Sequence, residues 1–182
     1  MSSRHVALTY RDYTALPDDG RRYEIHDGEL SVTPAPSPHH QRCSANLFRL
    51  LDSHIRANDL GEILYAPLDV IMSDTAIVQP DLVYLAPDRA GAISRRGIEG
   101  PPTLVIEILS PSTVPVDRVT KLHLYARHGV PFFWLVDAEA QVIEAYRLAG
   151  ARYSLLLRAF GGVPVDLPPF TGLALIPASV WR

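Results

Sequence analysis

Apolar and polar positions alternate along residues 22–26 and again along 29–33, and Asp27-Gly28 stands between the two runs. Alternation of period two predicts strands, and both turn residues tolerate positive φ, so the chain is expected to form a hairpin here. Pro34, Pro36 and Pro38 then punctuate a stiff loop. Beyond it Leu47, Leu50, Leu51 and Ile55 recur at helical spacing, which predicts an amphipathic helix over 41–55 with His39 and His40 at its entrance. Residues 62–72, 76–85 and 103–109 are β-branched and apolar and read as three strands, while 87–102 is rich in glycine, arginine and proline and reads as a loop. A second helix is expected from an N-cap at Ser112, with Pro115 in its first turn, an apolar face of Val119, Leu122, Tyr125 and Ala126, and Gly129 closing it. Residues 132–137 and 142–148 predict another hairpin, 153–157 a further strand, and a proline-rich tail follows. The order is hairpin, helix, strands, helix, strands: an α+β (mixed α/β) chain with helices packed on a central sheet.

A chain of 182 residues is expected to form one domain, burying roughly 70% of its unfolded surface. Its net charge of -3 argues against coating nucleic acid electrostatically and leaves only a local basic patch for such contact. Cys43 is the single cysteine, so no intramolecular disulfide forms. No stretch approaches the length of an apolar membrane span, and the expectation is a soluble, cytoplasmic protein.

Charge becomes informative at individual positions. Seventeen residues are basic and sixteen of them are arginine, which leaves Lys121 as the only lysine. A guanidinium is a planar fork that stays protonated, whereas an ammonium is a compact point charge with a movable pKa. Lys121 therefore marks a place where a cation alone was not sufficient. Two acids accompany it. Asp81 follows Pro80 within a strand, and Glu107 lies between Ile106 and Ile108 in a strand apolar on both faces. Two carboxylates about 4 Å apart repel by about 4 kcal/mol at an effective dielectric near 20, so a proton, a cation or a metal must answer them. Hard oxygen donors suit Mg²⁺ or Mn²⁺, and nothing in the spacing suggests zinc. Salt bridges from nearby arginines are the equal alternative.

The run Gln79-Pro80-Asp81, the block Gly100-Pro101-Pro102-Thr103-Leu104-Val105-Ile106-Glu107-Ile108-Leu109-Ser110-Pro111-Ser112, then Asp117-Arg118, Lys121-Leu122, Tyr125-Ala126, Gly129-Val130 and Trp134-Leu135-Val136-Asp137 resemble the Uma-two family of restriction endonucleases. Upstream, Arg22-Tyr23-Glu24, Asp27-Gly28-Glu29-Leu30, residues 36–40 and Ala66-Pro67-Leu68-Asp69-Val70 extend the resemblance over nearly the whole chain. The family is assigned to the PD-(D/E)XK nuclease fold. The resemblance thus implies a nuclease-like central mixed sheet flanked by helices, with an N-terminal β-hairpin, and Mg²⁺- or Mn²⁺-dependent endonuclease hydrolysis of phosphodiesters.

On that resemblance Asp81 and Glu107 are the metal-binding acids, helped by the Ile108 carbonyl. The general motif places a lysine two residues after the second acid, where this chain has Leu109, and Lys121 matches a basic residue that has moved into the site from the next helix. Glu24 and His40 match positions near the site, as an extra metal ligand and a phosphate or leaving-group contact. An acid in a hairpin facing water and a histidine capping a helix are their plain alternatives. Asp117 either orients Lys121 or makes an ordinary helix pair, and Asp69 reads as structural, with the metal as its alternative partner. Arginines 42, 89, 95, 96, 118 and 127 are candidates for phosphate contact, the pair Arg95-Arg96 first. Of Phe132, Phe133 and Trp134, two are expected in the core rather than as a stacking platform. The expected partner is nucleic acid, DNA first, with a homodimer to cut two strands. Three rival functions stand beside this one. A nuclease fold without catalysis would bind nucleic acid or a protein, a Schiff-base enzyme would use Lys121 but leave both acids idle, and a structural protein has no residue in its favour.

Overall fold

Asp27 and Gly28 make the turn that the alternation predicts. Both have positive φ, 52° and 87°, and they join β1 (Arg22–His26) to antiparallel β2 (Glu29–Thr33). The computed structural model describes residues 6–110 and 116–182. A short helix, α1 (Tyr10–Tyr13), precedes the hairpin, and α2 (Pro38–Ala57) follows it. The second helix begins earlier than the apolar repeat suggested because Ser37 caps it, its side chain accepting from the His40 N–H at 3.2 Å, and Pro38 fits the first turn.

The apolar runs expected as two long strands are four short ones: β3 (Glu62–Tyr65), β4 (Val70–Ser73), β5 (Ala76–Val78) and β6 (Leu82–Leu85). Pro67 and Pro80 interrupt them, since proline donates no ladder hydrogen bond. The stretch expected as a loop holds a 3₁₀ turn (Pro87–Ala92) and a small hairpin of β7 (Ile93–Ser94) and β8 (Gly97–Glu99). Then come β9 (Leu104–Ile108), a π-helical turn (Val116–Lys121) running into α3 (Leu122–Arg127), β10 (Phe132–Asp137), β11 (Val142–Ala149) and β12 (Arg152–Ala159). The predicted cap Ser112 and Pro115 lie outside the described residues.

These strands assort into two mixed sheets, ordered β2-β1-β5-β4-β8-β7 and β12-β11-β10-β9-β6-β3. The expected mixed sheet flanked by helices is present as the second of these. The breaks at Pro67 and Pro80 send β4 and β5 to the first sheet and β3 and β6 to the second. In the second, β9 and β10 are parallel and joined through α3, and the other pairings are antiparallel.

Strand parity then divides the core. Leu104, Ile106 and Ile108 of β9 share one cluster with Cys43, Leu47, Leu51 and Ile55 of α2. Val105 and Leu109 belong to another, with Leu124 and Tyr125 of α3, Phe133 and Leu135 of β10, and Val70, Val78 and Ile98 of the first sheet. Phe133 and Trp134 are both fully buried, as expected of core aromatics. Glu107 has the parity of Val105 and Leu109, so its carboxylate enters the face that the first sheet and α3 cover. No helix among the described residues is long and apolar enough to cross a membrane.

Candidate active site

Four segments distant in sequence bring their polar groups to one place. On β1, Arg22, Glu24 and His26 lie at period two and therefore on one face. Asp81 sits in the bend after Pro80, where the chain passes from the first sheet to the second, and Glu107 arrives from β9. Lys121 closes the π-helical turn, a wider coil that often marks a functional position. Glu24, Asp81, Glu107 and Lys121 expose 0%, 5%, 2% and 4% of their surface. Burial this deep obliges every charge to find a partner.

The Lys121 ammonium donates to Glu107 Oε1 at 3.0 Å and to Glu24 Oε1 at 3.1 Å, and Asp117 Oδ1 lies 3.7 Å away. Glu24 is held on all sides: its Oε1 accepts from the Gln79 N–H at 2.7 Å, and its Oε2 is 3.0 Å from His26 Nε2. Asp81 Oδ2 accepts from the Ile108 N–H at 2.8 Å and meets His40 Nε2 at 3.1 Å, while its Oδ1 accepts from Arg22 at 3.3 Å. The Tyr125 hydroxyl donates to Glu107 Oε1 at 2.6 Å. All five residues singled out from the sequence thus meet: Asp81, Glu107 and Lys121, with Glu24 and His40 beside them.

The electrostatics are unbalanced. Among the described residues, the carboxylates of Glu24, Asp81, Glu107 and Asp117 face two permanent cations, Arg22 and Lys121. Burial pushes Glu24 and Asp81 up, but Lys121, His26 and Arg22 around the first, and His40, Arg22 and the Ile108 amide around the second, leave both below the ordinary carboxylate range. Glu107 absorbs the imbalance. Burial, with the charges of Asp117, Asp81 and Glu24 behind it, pushes its carboxyl up to about 8, and Lys121 offsets only part of the rise. Lys121 itself is raised: burial lowers it, and the carboxylates of Glu107, Glu24 and Asp117 prevail. His40 is likewise raised, its burial outweighed by the hydrogen bond and charge of Asp81.

A hard divalent cation suits this donor set. The unsatisfied charge is negative, and the oxygens of Asp81 and Glu107 belong to adjacent segments, tied by the bond from Ile108 to Asp81. Among the described residues, no three His, Cys, Asp or Glu side chains form a metal-holding group by themselves. An ion here would complete its shell with backbone oxygen and water, as Mg²⁺ does readily. The cluster opens into a cavity of about 220 Å³ bounded by His40, Asp81, Glu107, Asp117 and Lys121. His40 Nδ1 and Arg22 Nε are buried with no hydrogen-bond partner among the described residues.

Other expectations fall elsewhere. Leu109, where the general motif has its lysine, is buried in the core, and the ammonium reaches Glu107 from the π-helical turn instead. Asp117 and Lys121 are both buried, so they are not a surface helix pair. Asp69 accepts from Tyr13 and from the Gln79 side chain, which in turn holds the Gln79 amide toward Glu24. Among the arginines proposed for phosphate contact, Arg96 pairs with Glu99 and lies 5.1 Å over the Tyr10 ring, at the sheet edge opposite β1. Arg118 is engaged by Asp137 and Glu144, and Arg127 by Asp27. Arg22, His26 and Tyr125 also belong to the site, though no motif in the sequence singles them out. The first two flank Glu24 at two-residue spacing on one strand face, and Tyr125 follows Lys121 by one helical turn, so the signal lies in strand parity for the former and helical periodicity for the latter.

A family model described as "Putative restriction endonuclease", Uma2, matches residues 10–178. No curated protein sequence matches the chain. Among solved structures, the chain is similar to the crystal structure of a putative nuclease belonging to DUF820 from Anabaena variabilis. The two are 19% identical with a TM-score of 0.73, and the match covers 96% of this chain and 97% of the other. At that identity the likeness speaks for the fold.

Proposed function

Because the chain belongs to the Uma2 (Uma-two) family, described as putative restriction endonucleases, and has the fold of a nuclease, we propose that it is a Mg²⁺- or Mn²⁺-dependent endonuclease acting on phosphodiester bonds of nucleic acid, with DNA taken first. One observation carries this reading: two acids and the sole lysine, drawn from separate elements, converge at a buried cleft with an excess of negative charge. Asp81 and Glu107 would hold the metal, which when bound polarises a phosphate and lowers the pKa of water.

The chain's own groups take the remaining roles. Lys121 carries a proton and stands beside Glu107, fit to hold the attacking water or to neutralise charge growing on the phosphate oxygens. Glu24 acts as a positioning residue: it accepts from Lys121 and the Gln79 amide and lies against His26, which sets the ammonium beside Glu107. His40, raised toward its protonated form by Asp81, is suited to contact a phosphate or a leaving oxygen. Tyr125 fixes one oxygen of Glu107. Two copies acting on two strands, each chain a single domain, belong to the same proposal.

The test pairs metal calorimetry with cleavage of single- and double-stranded substrates. Wild type should bind Mn²⁺ and cut, and Asp81→Asn should lose both. Lys121→Arg should retain metal binding but lose about 10²- to 10³-fold in rate, the usual cost of one preorganised charge contact. Equal metal affinity in wild type and Asp81→Asn would sink the assignment of ligands.

A further inference from the structure

We propose that Arg118 is a positioning residue whose guanidinium clamps the π-helical turn onto the second sheet and thereby holds the Lys121 ammonium against Glu107. What that ammonium does rests on the nuclease reading, whereas where it stands does not. The register of the sheet is the first observation. Glu107 pairs with Leu135 of β10, Leu135 with Glu144 of β11, and Glu144 with Arg158 of β12, so these side chains form one row and point to one face. Glu144 therefore stands two strands from Glu107, about 10 Å away at a strand spacing of about 4.8 Å. The π-helical turn spans that interval. Lys121 donates to Glu107 Oε1 at 3.0 Å, and Arg118, one coil earlier, donates to Glu144 Oε2 at 2.9 Å.

Rigidity at the far end of the clamp is the second. Glu144 is buried, and its carboxylate also accepts from the Tyr146 hydroxyl at 2.9 Å and from Arg158 Nε at 3.0 Å, so it is a fixed acceptor rather than a mobile surface acid. The other arm of the Arg118 fork reaches Asp137 Oδ2 at 3.3 Å, which ties the turn to two neighbouring strands. Apolar packing does little to hold the turn itself. Val116 is half-buried, Val119 is 56% exposed and Thr120 is exposed, while Asp117 and Lys121 are buried as charges, whose burial drives nothing by itself. The apolar anchors begin only after Lys121, with Leu122, Leu124 and Tyr125.

Arg118 acts through Lys121. Asp117 and Lys121 line the cavity of the cleft, whereas the guanidinium between them in sequence is engaged by Glu144 and Asp137 over the second sheet. A turn released at its N-terminal end would let the ammonium move toward water, where an ion is solvated at no desolvation cost. The geometry beside Glu107 would then be kept by Glu24 alone. An ammonium set back from the reacting phosphate loses stabilisation of the transition state and leaves the grip on the rest of the substrate unchanged, so the loss belongs in kcat and not in KM.

The sole lysine makes its own position measurable. Acetylation of the full-length protein in EDTA with an N-hydroxysuccinimide ester, read by peptide mass spectrometry, reports on Lys121, and the α-amino group serves as internal reference. Lys121 should label slowly in the wild type and about 10-fold faster in Arg118→Met, the usual effect of losing a hydrogen bond between charged groups. Glu144→Gln keeps the shape of the acceptor, removes its charge and should change the rate in the same direction, which decides the matter should Arg118→Met fail to fold. Arg158→Met removes the other cation on Glu144, whose side chain is 60% exposed, and should label as wild type does. In cleavage of a DNA duplex with Mn²⁺, Arg118→Met should lose about 10-fold in kcat with KM and the salt dependence of binding unchanged. Wild-type labelling in either folded variant, or equal acceleration by Arg158→Met, would overturn the clamp. So would a salt slope lowered by about one unit in Arg118→Met, the mark of a direct phosphate contact. A wild type that cuts nothing while the labelling pattern holds removes the nuclease reading and leaves the clamp.

Discussion

Glu107→Gln should stabilise the metal-free protein while abolishing cleavage. The variant keeps the shape of the side chain and an acceptor for Tyr125 and Lys121, but removes the carboxylate whose charge burial and its acidic neighbours oppose more than Lys121 offsets. Its carboxyl is raised from 4.5 to about 8 in the folded protein. A group raised on folding contributes stability that is complete below its unfolded value and lost as pH climbs through its folded one. Wild-type stability should therefore fall between about pH 4.5 and pH 8 and level off above. Each pKa unit corresponds to about 1.4 kcal/mol, so the full shift is worth up to about 5 kcal/mol, and relaxation around the ionised group brings the expected loss to about 2–5 kcal/mol. Glutamine cannot ionise and should lack that slope. His40 is also raised, but it is present in both proteins and cancels in the difference, while Glu24 and Asp81 are lowered and contribute constantly above their unfolded values near 4. Urea unfolding in EDTA from pH 5 to pH 9 should show the two curves diverging by that amount at the alkaline end. Adding Mg²⁺ should stabilise only the wild type, since a ligand that binds the folded state alone shifts the equilibrium toward it. A Glu107→Gln protein no more stable than wild type at pH 9 in EDTA would refute the charge imbalance on which the reasoning depends.

Lys121→Met should cost about 3–5 kcal/mol in urea unfolding, because it leaves Glu24, Glu107 and Asp117 buried around no ammonium, and adding Glu24→Gln to it should recover part of the loss. Gly97→Ala should lose about 2 kcal/mol or more in the same assay: its φ is +130°, and an added Cβ would stand 2.2 Å from the Asp69 carbonyl oxygen. Leu51→Ala, deep between α2 and the second sheet, should cost about 2–5 kcal/mol with no change in the pH profile, which separates core loss from site loss.

The sequence by itself determined most local elements and which residues stand out as candidates for chemistry. Asp27-Gly28 could only turn, the leucine spacing could only be helical, and an acid between isoleucines or a lone lysine among arginines was legible without any neighbour. Those signals are carried by residues within a few positions of one another, where periodicity and turn sterics act. Tertiary structure alone decided which faces meet. The apolar runs 62–72 and 76–85 looked continuous, yet Pro67 and Pro80 divide them between two sheets, and only that division carries Asp81 to the junction beside Ile108. Arg22, Glu24 and His26 share one face of β1, and Lys121 of the π-helical turn and Asp81 reach that face and make it the inner wall of the site. Asp117, expected either to orient Lys121 or to make an ordinary helix pair with it, stands 3.7 Å from its ammonium and is 3% exposed. Whether a charged side chain is solvated or buried depends on what packs over it from far along the chain. The electrostatic strain that marks Glu107 exists because its strand is buried and distant carboxylates arrive at the same place.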